Sequence, residues 1–132
     1  MPEAVSAAAR GSETILLVED EAAILSMTAK MLSKLGYRVL GAASPAEALQ
    51  LASEQGDEID LLITDVIMPG INGRELLVRL KERCPGLRHL FMSGHPASVI
   101  AQHGVLDESE CFIQKPFSQQ ELASKVRQAL AG

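Results

Sequence analysis

The stretch Leu61-Leu62-Ile63-Thr64-Asp65-Val66-Ile67-Met68-Pro69-Gly70 limits most sharply what the chain can fold into. An apolar run that ends in a carboxylate and then meets Pro and Gly reads as a buried parallel strand opening into a loop, with Asp65 at its tip. Open α/β sheets carry their chemistry at such carboxyl ends of strands. Asp65 is therefore the first candidate for a reactive group.

The rest of the chain repeats this arrangement. Residues 14–18 (TILLV) form a second buried run that drives into Glu19-Asp20-Glu21. Over residues 21–35, Ile24, Met27, Met31 and Leu35 recur at helical spacing, and Gly36 follows as a cap. Residues 37–43 supply a further strand. Ser44-Pro45-Ala46-Glu47 is a capping box that opens a second helix, which Gly56 closes. After the strand at 60–65 and the Pro69-Gly70 and Asn72-Gly73 turns, Leu76, Leu77 and Leu80 mark a third helix, stopped at Cys84-Pro85-Gly86. Residues 89–92 form a strand ending at Ser93-Gly94, and residues 97–103 a fourth helix with a thin apolar face. Residues 111–114 form the last strand, ending at Lys115-Pro116-Phe117. Ser118-Gln119-Gln120-Glu121 then caps a fifth helix bearing Leu122, Val126 and Leu130. Five strands alternating with five helices predict a parallel, doubly wound sheet.

Composition narrows the function. The 132 residues are 47% hydrophobic and only 3% aromatic, enough for one aliphatic core. Residues 1–13 read as a flexible leader or linker remnant, residues 14–131 as the domain, with no output domain expected after it. A net charge of −5 supplies no basic stripe for a phosphate backbone, so direct nucleic-acid binding is not expected. There is neither a membrane-length apolar run nor a signal peptide, and the expected location is cytoplasmic. Cys84 and Cys111 lack any metal or redox spacing and read as reduced, mostly buried thiols. No glycine-rich nucleotide loop follows any strand.

If the strands ending at Glu19-Asp20, Asp65, Ser93 and Lys115 are neighbours, three carboxylates, a hydroxyl and an ammonium meet at one sheet edge. Two like charges about 4 Å apart repel by roughly 4 kcal/mol at an effective dielectric of 20, so such a cluster implies a cation. An oxygen-only donor set suits a hard ion, Mg²⁺ foremost.

The set Glu19-Asp20, Asp65, Met68-Pro69, Gly73, Ser93-Gly94 and Lys115-Pro116-Phe117 resembles the receiver domain of two-component response regulators. The resemblance covers residues 14–131 and implies a flavodoxin-like (CheY-like) fold with sheet order 2-1-3-4-5. It implies that Asp65 is the phosphoacceptor, taking a phosphoryl group from a phosphohistidine on a histidine kinase or histidine phosphotransfer protein. Asp20 and Asp65 would ligate Mg²⁺ directly, Glu19 mainly through water, with the Ile67 carbonyl completing the set. Lys115 and Ser93 would contact phosphoryl oxygens, Gly94 would leave the phosphoryl group room, and the Lys115–Pro116 peptide would be cis.

Ser93 and Phe112 occupy the family's switch positions, while Ile67 and His95 occupy those that tune dephosphorylation. The switching surface would be the fourth helix, fifth strand and fifth helix, an output or homodimer face. The phrases around Ser93, Gly104 and Lys115 are most similar to receivers of hybrid histidine kinases.

Two other readings compete. A haloacid dehalogenase type phosphatase needs a second Asp two residues after the nucleophile, where this chain has Ile67. A pseudo-receiver, binding partners without phosphorylation, is opposed by the intact set of Glu19, Asp20, Asp65, Ser93 and Lys115.

Overall fold

The computed structural model describes residues 12–94 and 111–131. Five strands, β1 (Thr14–Val18), β2 (Arg38–Ala42), β3 (Leu61–Asp65), β4 (Arg88–Ser93) and β5 (Phe112–Gln114), form one parallel sheet of order β2-β1-β3-β4-β5. The helices α1 (Ala22–Lys34), α2 (Pro45–Gln55), α3 (Gly73–Arg83) and a last helix, Gln119–Ala131, connect or follow them. The helix expected at 97–103 lies outside the described residues.

The sheet is buried on both faces because every central strand is apolar at successive positions. Leu16, Val18, Leu62 and Phe91 pack with Ala48, Ala52, Leu76, Leu77 and Leu80 of α2 and α3. Ile15, Leu17, Leu61, Ile63, Leu90 and Met92 pack with Leu32 of α1 and with Leu122, Val126 and Ala129 of the last helix. This period-2 alternation places the functional edge. Continuing 15-17, 61-63 and 113 by two residues puts Glu19, Asp65 and Lys115 on one pleat parity. Register sets them side by side, since Val18 pairs with Thr64, Asp65 with Met92, and Met92 with Ile113.

Local chemistry fixes the helix ends. Gly36, at φ 99°, terminates α1 in a Schellman arrangement: its N–H donates to Ser33 O and that of Tyr37 to Leu32 O. Ser44 Oγ accepts from Glu47 N, and the Glu47 carboxylate accepts from Ala43 N, one residue earlier than a standard capping box places it. Ser118 and Glu121 form the reciprocal box in full. Gly56 caps α2 after Gln55, as expected, but it stays right-handed and leads directly into a short 3-10 turn, Gly56–Glu58.

The buried face of α1 keeps Leu35 and half-buries Ile24 and Met31 of the expected stripe, but it is rotated away from Met27. Thr28 and Leu32 are buried and Leu25 is half-buried, whereas Met27 is 45% exposed. The helix carries two overlapping apolar stripes, and the sheet takes the one through 25, 28 and 32. Cys84 and Cys111 are free and half-buried.

At the opposite edge of the sheet, Arg127 Nη1 donates to Glu13 Oε2 at 3.0 Å and to Tyr37 Oη at 3.3 Å. Burial pushes the Glu13 carboxyl up, but its hydrogen bonds and the guanidinium outweigh this and hold it below its ordinary value. The unfolded chain therefore binds the proton more readily, so the contribution is present above the unfolded pKa and disappears as pH falls through the folded one. Glu13→Gln is expected to lower stability by less than about 1 kcal/mol at neutral pH, since the pair is partly solvated. Denaturant melts of both proteins should converge as the pH drops below the carboxylate range.

Candidate functional site

The carboxyl edge of the sheet assembles four charged groups. Glu19, the residue after β1, is fully buried, and its N–H donates to Ala42 O at the end of β2. Its carboxylate accepts from Glu21 N at 3.2 Å, which turns the side chain inward at the start of α1. Asp20 beside it is exposed. Asp65 ends β3 and is 7% exposed. Carboxylate oxygens of Glu19, Asp20 and Asp65 all lie within 4.8 Å of one another.

Lys115 bridges this cluster from the end of β5. Its Nζ donates to Glu19 Oε1 at 2.6 Å and to Asp65 Oδ2 at 3.1 Å. Its own N–H donates to Ser93 O at 2.7 Å, tying the ends of β4 and β5 together, and the Lys115–Pro116 peptide is cis. Burial raises the carboxyl pKa values of Asp65 and Glu19, with Lys115 opposing the rise in both. Burial alone would depress the Lys115 ammonium, but its two carboxylate partners outweigh that and hold it above its ordinary value. With all four groups ionised, three negative charges and one positive leave a net −2 in a largely desolvated pocket. An oxygen-only, doubly negative donor set fits one small divalent cation.

The remaining expected residues fall around this center. Ser93 is buried at the end of β4, and Gly94 after it is exposed, with no atom of the described residues, its chain neighbours apart, within 4 Å of where a Cβ would project. Ile67 is 53% exposed on the loop after Asp65. Phe112 is half-buried and packs against the α2 and α3 side of the core, paired in register with Phe91. His95 lies outside the described residues.

Two further residues touch the site's backbone: Thr64, which no motif singles out, and Gly73, which belongs to the receiver-like set without a stated task there. Thr64 is buried and its hydroxyl donates to Asp65 O at 3.0 Å. Gly73, the first residue of α3, donates its N–H to Val66 O at 2.8 Å. In the sequence, Thr64 looks like one more strand residue and Gly73 like part of a turn.

A doubly wound α/β module with a lysine-bridged carboxylate cluster at its carboxyl edge is thus defined by geometry alone. The chain belongs to the response regulator receiver domain family, whose model matches residues 15–127. The sensor kinase CckA of Brucella abortus (strain 2308) is 39% identical over 120 residues, which cover 91% of this chain and 13% of that protein. The DNA-binding transcriptional regulator NtrC of Azospirillum brasilense is 35% identical over 118 residues, 89% of this chain and 24% of that protein. The chain therefore spans a minor part of both relatives' length.

Among solved structures, the receiver domain of the hybrid histidine kinase CckA matches with a TM-score of 0.74 at 40% identity, covering 89% of this chain and 98% of that one. A receiver domain from Clostridium thermocellum matches with a TM-score of 0.75 at 28% identity, covering 90% and 94%. The expected fold class and sheet order are borne out. The protein is a receiver domain of the two-component signalling type.

Proposed function

We propose that Asp65 is the phosphoacceptor of this receiver and takes its phosphoryl group from a phosphohistidine on a histidine kinase or phosphotransfer protein. The observation that carries the reading is the Lys115 ammonium held between Glu19 and Asp65, with Asp20 in reach. An Asp65 oxygen attacks phosphorus as the P–N bond to the donor imidazole breaks, and the imidazole recovers a proton from solvent. The carboxylate needs no base at neutral pH, so the barrier falls through positioning and charge neutralisation.

Glu19, Asp20 and Asp65, with the Ile67 carbonyl, are the residues that would hold Mg²⁺, which supplies charge neutralisation when bound. Lys115 then turns from the carboxylates to a phosphoryl oxygen as a point charge, and Ser93 donates its hydroxyl to another. Gly94, with no side chain and no described residue but its chain neighbours within 4 Å of its Cβ position, leaves room for the group. The added charge draws Ser93 inward and biases Phe112 and the surface of the fourth predicted helix, β5 and the last helix, which serves as output or homodimer face. Ile67 and His95 set how readily water reaches the acyl phosphate in self-dephosphorylation. We place the unit, residues 14–131, in the cytoplasm, as part of a hybrid kinase or as a separate regulator. The complete residue set disfavours a pseudo-receiver.

The test is the intact mass of the protein after incubation with a small acyl-phosphate donor. The expected result is one added phosphoryl group with Mg²⁺ and none with a chelator. A protein that stays unmodified with this donor and with a phosphorylated histidine kinase core would overturn the reading.

A further inference from the structure

Asp65's carboxylate is only as well placed as its own peptide, and that peptide is enclosed on the side of α3. The Thr64 hydroxyl donates to Asp65 O. The same oxygen faces Gly73 so closely that a Cβ on residue 73 would lie 2.5 Å from it, 3.1 Å from Thr64 Cγ2 and 3.2 Å from Val66 Cα. The first distance is about half an ångström short of the 3.0 Å below which real Cβ contacts essentially never fall. Two of the three atoms are backbone and cannot swing away.

The elements on either side are anchored. Leu76, Leu77 and Leu80 seat α3 in the core, and β3 is paired on both edges. A methyl group at 73 must therefore be absorbed by the Asp65 peptide and the loop that carries Ile67. Productive site geometry tolerates about 0.5 Å, and Mg²⁺ demands near-ideal octahedral oxygen positions. The displacement required is of that size.

Resting on the phosphoacceptor reading above, we propose that Gly73 is a positioning residue for the acidic site. Its missing side chain lets the first turn of α3 close on the Asp65 carbonyl, and Thr64 pins that carbonyl from within the strand. Together they fix where the Asp65 carboxylate and the Ile67 carbonyl stand relative to Glu19 and Asp20.

The test measures Mg²⁺ affinity by calorimetry and metal-free thermal stability for wild type, Gly73→Ala, Thr64→Val and Leu80→Ala. Loss of a group that supports a metal ligand typically weakens binding by about 10-fold or more. Gly73→Ala is expected to weaken Mg²⁺ binding by about that factor, and Thr64→Val, which replaces the hydroxyl with a methyl group and so removes its hydrogen bond, by about threefold. Leu80→Ala opens a cavity in the buried middle of α3, so it should lower the melting temperature while keeping Mg²⁺ affinity within about twofold of wild type.

A folded Gly73→Ala protein with wild-type affinity overturns the proposal, as does a Leu80→Ala protein that loses as much affinity as Gly73→Ala. If Gly73→Ala does not fold, Thr64→Val decides: weakened binding supports the proposal and wild-type binding overturns it. Wild type that binds no Mg²⁺ overturns the phosphoacceptor reading itself, an outcome distinct from failure of the variants.

Discussion

Lys115→Met is expected to destabilise the metal-free protein by about 3 kcal/mol and to slow phosphoryl uptake by at least about a hundredfold. The Lys115 side chain is 13% exposed, and its ammonium bonds a fully buried Glu19 and a nearly buried Asp65. Methionine keeps the stem and its packing but leaves both carboxylates without their cation. Removing one partner of a buried pair costs about 3–5 kcal/mol, because the other charge stays behind in a poor solvent. The lower end applies here, since Glu19 and Asp65 already hold protons more tightly than ordinary carboxyls and can neutralise in part.

The Lys115 ammonium is held above its ordinary pKa, so its own titration leaves the contribution intact at neutral pH and removes it on the alkaline side. Mg²⁺ should restore much of the lost stability by supplying the missing positive charge, yet not the uptake rate, because the phosphoryl oxygen still lacks its partner. Denaturant titrations with chelator and with Mg²⁺, beside uptake kinetics, check this. Equal stability of the two proteins in chelator would count against the bridge.

Asp65→Asn is expected to act in the opposite direction on the metal-free fold, raising stability by about 1–2 kcal/mol while abolishing phosphoryl uptake. Asparagine fills nearly the same space but removes one of three carboxylates. The gain is a fraction of the roughly 4 kcal/mol by which two charges about 4 Å apart repel at a dielectric of 20, because Lys115 loses an acceptor in exchange.

The pH dependence carries the same sign. Burial raises the Asp65 pKa in the folded state, so between the unfolded and folded values the native protein binds more protons. Stability of the metal-free wild type therefore falls as pH rises through and just above the ordinary carboxylate range. The Asn variant should show a flatter profile there. It should also gain less stability from Mg²⁺. A variant that melts below wild type at neutral pH in chelator would contradict the electrostatic account of the site.

The legible part of the structure was whatever repeats. Aliphatic runs ending at Glu19, Asp65, Ser93 and Lys115 give both the sheet and the convergence, because period-2 alternation and parallel pairing leave those ends side by side. Capping residues at Ser44 and Ser118 are equally plain, since their hydrogen bonds are local. What depends on a neighbour from elsewhere in the chain was harder to read. Helix α1 offers two apolar stripes, and only the sheet beneath it selects Leu25, Thr28 and Leu32 over Met27. Gly73 reads as a turn residue, and only the proximity of Asp65's carbonyl oxygen gives its bare Cα a role. The complete burial of Glu19 and its short bond to Lys115 likewise join residues 96 apart in the chain.

The central claim is that Asp65, and no other residue, accepts the phosphoryl group. Borohydride reduces an acyl phosphate to the primary alcohol with release of phosphate, so a phosphorylated aspartate becomes homoserine in a peptide map. The account predicts homoserine at position 65 after treatment with an acyl-phosphate donor and Mg²⁺, and unaltered aspartate in the chelator control. Homoserine at Asp20 instead, or an added phosphoryl group that survives reduction on any other residue, would contradict it.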